Sequence, residues 1–380
     1  MQESNWDNPC FVKTKPEIIQ YWGYPVEVHK VLTMDGYILT LHRIPYGRNC
    51  RQVTANRPVI FLQSGLLCSS AHWVLNLPHQ SAGFVFADEC FDVWLGNMRG
   101  NVYSKEHIRL NSLISDFWKF SWEEMARYDL PAMVDYVLDK TGANSLNYFA
   151  TIGQGYNFYL AFKQNPVHVL FYIHYSMLFQ IRKFFALAPA YRTFHVEGAM
   201  YHHFKQNYEL TTLFYQLLGD TGIYFYDLTR PIAQAMCNNP VTNPMCEDFL
   251  AYVNGPKTDH FNSVSVFNFD ELGIHDNKVK SRTAVYLSHG PAGTSTRNMR
   301  HYAQMLRTSR MASYDYGPEE NLRHYGTVSL FTSTTPEYDI SQVQANIYLF
   351  YADLDWVVPA QDVEQYLLPA LPPSSLKLVR

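Results

Sequence analysis

Residues 147–162, NYFATIGQGYNFYLAF, have in succession the patterns of a buried strand, a glycine-rich turn and an amphipathic helix. A strand–turn–helix elbow of the G-x-S-x-G type holds a nucleophilic serine at its centre, on a sharp and strained turn. Counted back from Gln154 and Gly155, the central position in this chain is Gly153. The stretch therefore predicts an elbow whose nucleophile position has no side chain.

Strands and helices alternate around this elbow. Residues 28–47 alternate apolar and polar side chains on both sides of MDG, which predicts a hairpin. Continuous apolar runs within 57–70 and 91–101 are typical of strands buried on both faces. Residues 121–142 begin with a Ser-x-x-Glu capping box and end at a glycine, as a helix does. The order predicts an α/β fold with a mostly parallel sheet covered by helices on both faces.

The composition narrows the class of protein. The chain has 380 residues, 47% of them hydrophobic, and a formal charge of -4 without a long basic run, which argues against nucleic acid as a partner. The longest apolar run, 169–179, is too short to span a bilayer, so we expect no transmembrane helix. The six cysteines include no C-x-x-C pair and show no zinc spacing, so we expect no metal and no cofactor.

Cys237 and Cys246 flank a short loop of asparagine and proline, NNPVTNPM. Such a loop is easily closed by a disulfide, which would indicate an oxidising compartment. Two unpaired thiols are an equally good interpretation of the spacing alone.

The character of the chain changes in its second half. Residues 195–315 are rich in Tyr, His, Phe, Asn and Gln and have few strand patterns, which predicts a helical insertion above the carboxyl edge of the sheet. We therefore expect three parts: the first part of an α/β core over 1–194, a cap or lid over 195–315, and the last part of the core over 316–380.

Seven blocks follow one another along the chain: PEIIQYWGYPVEVHKVLTMDGYILTLHRIPYG, FLQSGLLCSSAHWV, FDVWLGNMRGNVYSKEH, FWKFSWEEMARYDLPAMVDYVL, KFFALAPA, VYLSHGPAGTST and DWVVPAQDV. Their sequence and their order resemble the acid lipases of the gastric and lysosomal type, over nearly the whole chain. The resemblance implies an α/β-hydrolase fold with a helical cap, a cap disulfide between Cys237 and Cys246, and lipid esters or fatty acids as ligands, at a lipid–water interface.

The chemistry of this family is ester hydrolysis by a serine, a histidine and an acid, with two backbone N–H groups stabilising the oxyanion. The resemblance assigns the nucleophile position to Gly153 and the oxyanion amides to Leu66 and Gln154. It assigns the acid to Asp355, with Asp353 as a weaker contender. Without the resemblance, an alternative is that Asp355 caps the following helix.

The serine and the histidine of the triad are missing from their expected places. Ser64 stands where the family has a histidine, and it precedes the wrong kind of element to be a substitute nucleophile. No histidine follows Asp355, so we expect the core to stop before the catalytic histidine. His289 and His324 lie in blocks that the family shares, so neither is expected to be a relocated base.

Two accounts explain these losses. In one, the protein is a non-catalytic lipid-binding or regulatory pseudoenzyme, descended from hydrolases of triacylglycerols or sterol esters. In the other, retained introns at 167–179, 264–281 and 328–333 and a missing last exon distort the sequence of an active lipase. This second account explains the absent histidine and does not by itself explain Gly153. The resemblance implies a secreted or lysosomal protein, whereas the first residues, MQESNWDNPC, show no signal peptide.

Overall fold

The computed structural model describes residues 15–50, 57–151, 180–223, 226–237, 239, 241–256, 282–326, 335–341 and 343–379. The strands are β1 (Glu27–Leu32), β2 (Tyr37–Ile44), β3 (Val59–Gln63), β4 (Asp92–Gly96), β5 (Glu106–His107), β6 (Leu146–Ala150), β7 (Ile181–Leu187), β8 (Gly222–Ile223), β9 (Thr294–Ser295), β10 (Asn346–Phe350) and β11 (Leu376–Val379).

The helices are α1 (Lys15–Tyr21), α2 (Ala82–Asp88), α3 (Trp122–Glu124), α4 (Leu130–Thr141), α5 (Gly198–Met200), α6 (Tyr208–Leu218), α7 (Tyr226–Cys237), α8 (Asn243–Asn254), α9 (Thr283–His289), α10 (Thr296–Thr308), α11 (Pro318–Tyr325), α12 (Ala360–Asp362) and α13 (Leu368–Ala370). Segments of π-helix follow α3, α5 and α12, at Met125–Asp129, Tyr201–Gln206 and Val363–Leu367.

The central sheet confirms the predicted α/β fold. Its strands lie in the order β1-β2-β4-β3-β6-β7-β10-β11, with β5 paired to β2. All neighbours from β4 to β11 are parallel, and β1 and β2 form the antiparallel hairpin expected from residues 28–47. In that hairpin Gly36 takes a φ of 98°, a left-handed conformation that glycine adopts without steric cost.

The central strands are buried on both faces because helices cover both sides of the sheet. All five residues of β3 and all five of β4 are buried. Side chains alternate between two apolar clusters: Phe61 and Trp94 belong to one, and Ile60 and Leu95 to the other. Burial of both faces explains why the sequence of these strands is a continuous apolar run.

The helix predicted over 121–142 is present, with a local widening that the sequence pattern did not predict. Ser121 and Glu124 form the capping box, and the backbone N–H of Ser121 donates to the Glu124 carboxylate at 2.7 Å. The π-helical turn Met125–Asp129 interrupts the α-helix. Pro131 has no N–H and so cannot donate to the carbonyl of Arg127. The missing hydrogen bond falls within the π-helical turn, where the helix is wider.

Four helices, α5 to α8, lie between β7 and α9 along the chain. This region is joined to the core at β8, which pairs with β9, and at Thr296, whose hydroxyl donates to the carbonyl of Gly219 at 2.6 Å. Tyr302 and Met305 on α10 pack in the larger apolar cluster of the sheet. The boundaries 1–194, 195–315 and 316–380 stay predictions.

The three stretches interpreted as retained introns, 167–179, 264–281 and 328–333, lie outside the described residues. Across the described helices, none combines the length and the apolar character needed to cross a bilayer.

Candidate active site

The chain turns sharply at the carboxyl end of β3, where the sequence places the first oxyanion amide. The Cys68 N–H donates to the Gly65 carbonyl at 3.1 Å, and the Ser64 hydroxyl donates to the Ser69 carbonyl at 2.5 Å. Leu67 takes a φ of 58°, an uncommon conformation for a residue with a Cβ. These contacts close a compact turn around Leu66, and we call residues 64–69 the oxyanion turn.

Two neighbouring segments brace the oxyanion turn. At the end of β4, the Asn97 side chain accepts from the Ser70 N–H at 3.0 Å and donates to the Thr40 carbonyl at 2.9 Å. On the other side, the Ala292 N–H donates to the Leu67 carbonyl at 2.5 Å. Because the turn is held from both sides, its amides have a fixed direction before any ligand binds, as an oxyanion hole requires.

A buried ion network lies directly behind this region. Arg99 is 1% exposed, and its guanidinium group pairs with Asp129 at 2.7 Å and with Asp35 at 2.6 Å. Burial raises the pKa of Asp129 to about 6, against the opposing attraction of Arg99. The network connects the β1–β2 hairpin, the loop after β4 and the π-helical turn before α4. These elements support the oxyanion turn.

Strand β6 leads from this frame toward the elbow. Ala150 pairs with Gln63 at the end of β3, and the Thr151 N–H donates to the Gln63 carbonyl at 3.3 Å. The chain therefore leaves β6 beside the oxyanion turn, at the carboxyl edge where α/β proteins bind ligands. Gly153 and Gln154 lie outside the described residues. The nucleophile position and both oxyanion amides, Leu66 and Gln154, stay predictions.

Asp355 lies in the turn after β10. Its Oδ1 accepts from the N–H groups of Val357 and Val358 at 2.8 and 2.9 Å. Burial raises the pKa of the Asp355 carboxyl, although these two hydrogen bonds oppose the rise. These two hydrogen bonds form a turn before α12, whose N-cap is Pro359, so Asp355 does not cap that helix. Its role as the triad acid stays a prediction. Asp353, the weaker contender, is exposed.

The two histidines considered as relocated bases have contacts of other kinds. His289 is 2% exposed, and its Nδ1 lies 3.0 Å from the Val285 carbonyl in its own helix and 3.1 Å from the Ser288 hydroxyl. His324 is exposed and stacks on Tyr316 with ring centres 4.2 Å apart. Neither set of contacts involves Asp355.

A histidine–aspartate pair that sequence reasoning missed lies near Asp355. His195 Nδ1 is 2.6 Å from Asp362 Oδ1, and the His195 backbone N–H donates to Asp362 Oδ2 at 3.0 Å. Two residues further on, the Glu197 N–H donates to the Trp356 carbonyl at 2.9 Å. The partners are 167 residues apart, so no local pattern connects them. They fasten the segment after β7 to the turn that holds Asp355.

The cysteines form two disulfides in the described chain. One joins Cys237 to Cys246, as the resemblance implies, and the other joins Cys50 to Cys90, a pair that sequence reasoning did not propose. Cys68 is a free thiol within the oxyanion turn, and burial raises its pKa to about 12. Within the ranges that the structure covers, no three His, Cys, Asp or Glu side chains are grouped so that they could hold a metal ion.

Comparison with known proteins identifies the family of the chain. The family model for the partial alpha/beta-hydrolase lipase region matches residues 15–77. Lipase lipl-3 of Caenorhabditis elegans is 38% identical over 97% of this chain and 84% of its own length. Lipase member K of Mus musculus is 37% identical over 93% and 81%.

Gastric triacylglycerol lipase of Homo sapiens is 36% identical over 94% of this chain and 81% of its own length. These three relatives are all named as lipases, and each is 36–38% identical to this chain over nearly its whole length. The chain therefore belongs to the acid lipase family, a lineage of lipid ester hydrolases built on the α/β-hydrolase fold.

Proposed function

We propose that this protein binds lipid esters or fatty acids in the cleft of an acid lipase and does not hydrolyse them by a serine triad. The observation that carries the proposal is the glycine at position 153, the centre of the elbow. Triacylglycerols and sterol esters are the proposed ligands, and the first of these has support from the name of the gastric triacylglycerol lipase relative.

The chemistry explains why this one position matters. A triad begins hydrolysis with attack by a side-chain oxygen on the ester carbonyl, and glycine has no such oxygen. The oxyanion amides belong to the backbone, so the loss of the serine leaves them in place. Without triad members, a residual acceleration of roughly a thousand- to ten-thousand-fold over water can come from the oxyanion hole and binding alone.

Glycine also suits the elbow as a fold element. The central residue of such a turn is held in a conformation that is costly for residues with a Cβ, and glycine adopts it without that cost. We therefore propose a protein that keeps the acyl-binding cleft and its braced oxyanion turn while it lacks the nucleophile. The two disulfides support an oxidising compartment, and we propose a secreted or lysosomal location on this basis.

Turnover of p-nitrophenyl butyrate tests the catalytic half of the proposal. We expect no burst and no turnover above the residual level for the chain as it stands. Gly153→Ser supplies a hydroxyl at the centre of the elbow, and we expect it to restore turnover only when a histidine is also supplied as the general base. Ready hydrolysis by the present chain, abolished by Asp355→Asn, would show that a different triad operates.

Retention of radiolabelled oleate tests the binding half. We expect one fatty acid to remain with each folded chain through gel filtration, and we expect Gly153→Ser alone to leave that ratio unchanged. Absence of retained oleate and of a retained triacylglycerol would remove the lipid-binding proposal, whatever the outcome of the turnover assay.

A further inference from the structure

Strand β1 lies at one end of the central sheet, and among the described residues it has a neighbouring strand on one side only, β2. In an antiparallel pair, residues that exchange hydrogen bonds alternate with residues that do not. The Thr33 N–H donates to the Tyr37 carbonyl at 2.8 Å, so the pair directly after β1 is a bonded one. Counted back along the register, the non-bonded positions are Leu32, Lys30 and Val28. Their backbone N–H and C=O groups point away from β2.

A contact on β2 supports this assignment. Thr40 is the partner of Lys30 in the register, and its N–H donates to the Ser104 hydroxyl at 3.0 Å instead of to β1. The outer side of β1 is therefore a row of backbone donors and acceptors that β2 does not use, and we call it the free edge. Such a row is the template on which an extended peptide adds a strand to a sheet.

A groove lies beside the free edge, between β1 and α4. Its volume is about 410 Å³, within the range of binding sites. Val31, Met34 and Pro131 belong to its apolar lining, and on the helix side the lining reaches from Tyr128 to Asp139. That stretch of helix is about 16 Å long, which about five residues of extended chain would cover. We call this space the edge groove.

An added strand would meet apolar side chains on both of its faces. Side chains alternate between the faces of a sheet, so those of the added strand would lie beside His29 and Val31 on one face and beside Val28 and Leu32 on the other. Val31 packs in the apolar cluster on the α4 side and lines the edge groove. Val28 and Leu32 are both exposed.

Two carboxylates determine which side chain fits beside His29. Asp135 and Asp139 line the edge groove about one helical turn apart. Tyr136 lies between them in sequence, and its hydroxyl is 3.1 Å from His29 Nδ1. Asp135 accepts from the Gln180 side-chain amide at 2.7 Å, a neutral donor that leaves the charge of the carboxylate in place. A lysine or arginine of the added strand would therefore be attracted to this part of the groove.

The two cations near these carboxylates have contacts of their own. Arg127, at the other end of the lining, is attracted by Glu123 and Glu124. The Lys140 ammonium group lies 5.5 Å from the ring centre of Tyr136, and Lys140 is not part of the lining. The charge that a ligand meets beside His29 is therefore negative.

We propose that an extended segment of a partner protein adds a strand to β1, with an apolar side chain beside Val31 and a lysine or arginine beside Asp135 and Asp139. The backbone hydrogen bonds of the free edge supply affinity, and the edge groove selects the side chains. This binding involves neither Gly153 nor the oxyanion turn, so it does not depend on the function proposed above.

Fluorescence anisotropy with two labelled pentapeptide amides tests the proposal. Thr-Lys-Val-Leu-Thr places its lysine beside His29 and its leucine beside Val31 when it adds parallel to β1, and Thr-Leu-Val-Lys-Thr does so when it adds antiparallel. We expect one of the two to bind saturably. The same peptide with glutamate in place of lysine should bind about tenfold more weakly, because it would meet two like charges.

Variants of the protein separate the free edge from the edge groove. Lys30→Pro removes an outward N–H and leaves the hydrogen bonds between β1 and β2 in place, so it should abolish peptide binding with an unchanged circular dichroism spectrum. The matched control, Lys30→Ala, loses the ion pair with Glu106 and keeps the N–H, so it should bind as wild type does. Asp135→Asn with Asp139→Asn should make the lysine and glutamate peptides bind equally.

The proposal fails if neither pentapeptide binds, if the glutamate peptide binds as tightly as its lysine counterpart, or if folded Lys30→Pro binds as well as Lys30→Ala. The peptide comparison does not depend on whether Lys30→Pro folds. Sedimentation of the wild-type chain as a dimer that Lys30→Pro dissociates would assign the free edge to a second copy and would overturn the assignment to a partner segment.

Discussion

At the scale of single residues, Ser64 illustrates how a side chain can matter to a site without taking part in its chemistry. The hydroxyl is 3% exposed and donates to the Ser69 carbonyl, so it is engaged with the backbone of its own turn. An engaged hydroxyl of this kind closes the turn that holds Leu66. This contact supports the interpretation of Ser64 as a positioning residue instead of a replacement nucleophile.

Ser64→Ala should lower the free energy of unfolding by about 0.5 to 1.5 kcal/mol, because the buried Ser69 carbonyl loses one donor and keeps the His72 N–H at 3.1 Å. Urea titration followed by circular dichroism measures this loss. Ser374→Ala is the control, since Ser374 is exposed, and we expect it to change stability by less than about 0.5 kcal/mol. Equal effects of the two substitutions would show that the Ser64 hydroxyl does not hold the turn.

At the scale of elements, a buried histidine on α10 joins that helix to α3 and to the chain that follows α10. His301 stacks on Trp122 with ring centres 3.6 Å apart, and its Nε2 lies 3.0 Å from the Ala312 carbonyl. Burial lowers the pKa of His301 to about 3, against the weaker opposing effects of the Ala312 carbonyl and Glu124. The folded protein therefore keeps His301 neutral under conditions in which an exposed imidazole becomes charged.

The sign of the resulting pH dependence follows from proton linkage. An unfolded chain takes up a proton at His301 near pH 6.5, and the folded chain takes it up only near pH 3, so acid favours unfolding between these values. The contribution of His301 to stability is fully present above about pH 6.5. It falls by about 1.4 kcal/mol for each pH unit below that value.

His301→Phe should remove this acid sensitivity and retain the aromatic stack on Trp122. Urea unfolding between pH 6 and pH 4 should show a slope smaller by about 1.4 kcal/mol per pH unit than in wild type. Tyr302→Phe, on the same helix, changes a buried ring that does not titrate in this range and serves as the control. An unchanged slope in His301→Phe would mean that the folded chain also protonates His301 in this range.

At the scale of the whole molecule, the two disulfides close loops of different length. Cys50 and Cys90 are 40 residues apart and join the chain after β2 to the end of α2. Cys237 and Cys246 are 9 residues apart and join α7 to α8. Because a cross-link restricts the unfolded chain more when it closes a longer loop, the two bonds should differ in their effect on stability.

Replacing both Cys50 and Cys90 by serine should lower the free energy of unfolding by about 4 kcal/mol, against about 3 kcal/mol for Cys237 and Cys246. Denaturant unfolding of the two double variants and of wild type, in oxidising buffer, gives both values. Cys68→Ser is the control for replacing a cysteine that forms no disulfide. A larger loss from the shorter loop would show that restriction of the unfolded chain does not dominate.

Local patterns in the sequence predicted the hairpin over 28–47, the capped helix over 121–142 and the parallel sheet. These features depend on periodicity, capping and turn residues within a few positions of one another, so a short stretch of sequence is enough to predict them. The π-helical turn at Met125–Asp129 was not predicted, because the usual helical period does not reveal where a proline withholds a hydrogen bond.

The resemblance to acid lipases and the glycine at position 153 are also properties of the sequence alone, and they determine the family and the question about its chemistry. The tertiary structure decided which distant residues meet: His195 with Asp362, Cys50 with Cys90, Arg99 with Asp129, and α6 with the chain after α10. The reason is physical. A contact between residues far apart in the chain exists only after the sheet has set their distance, and no local pattern records it.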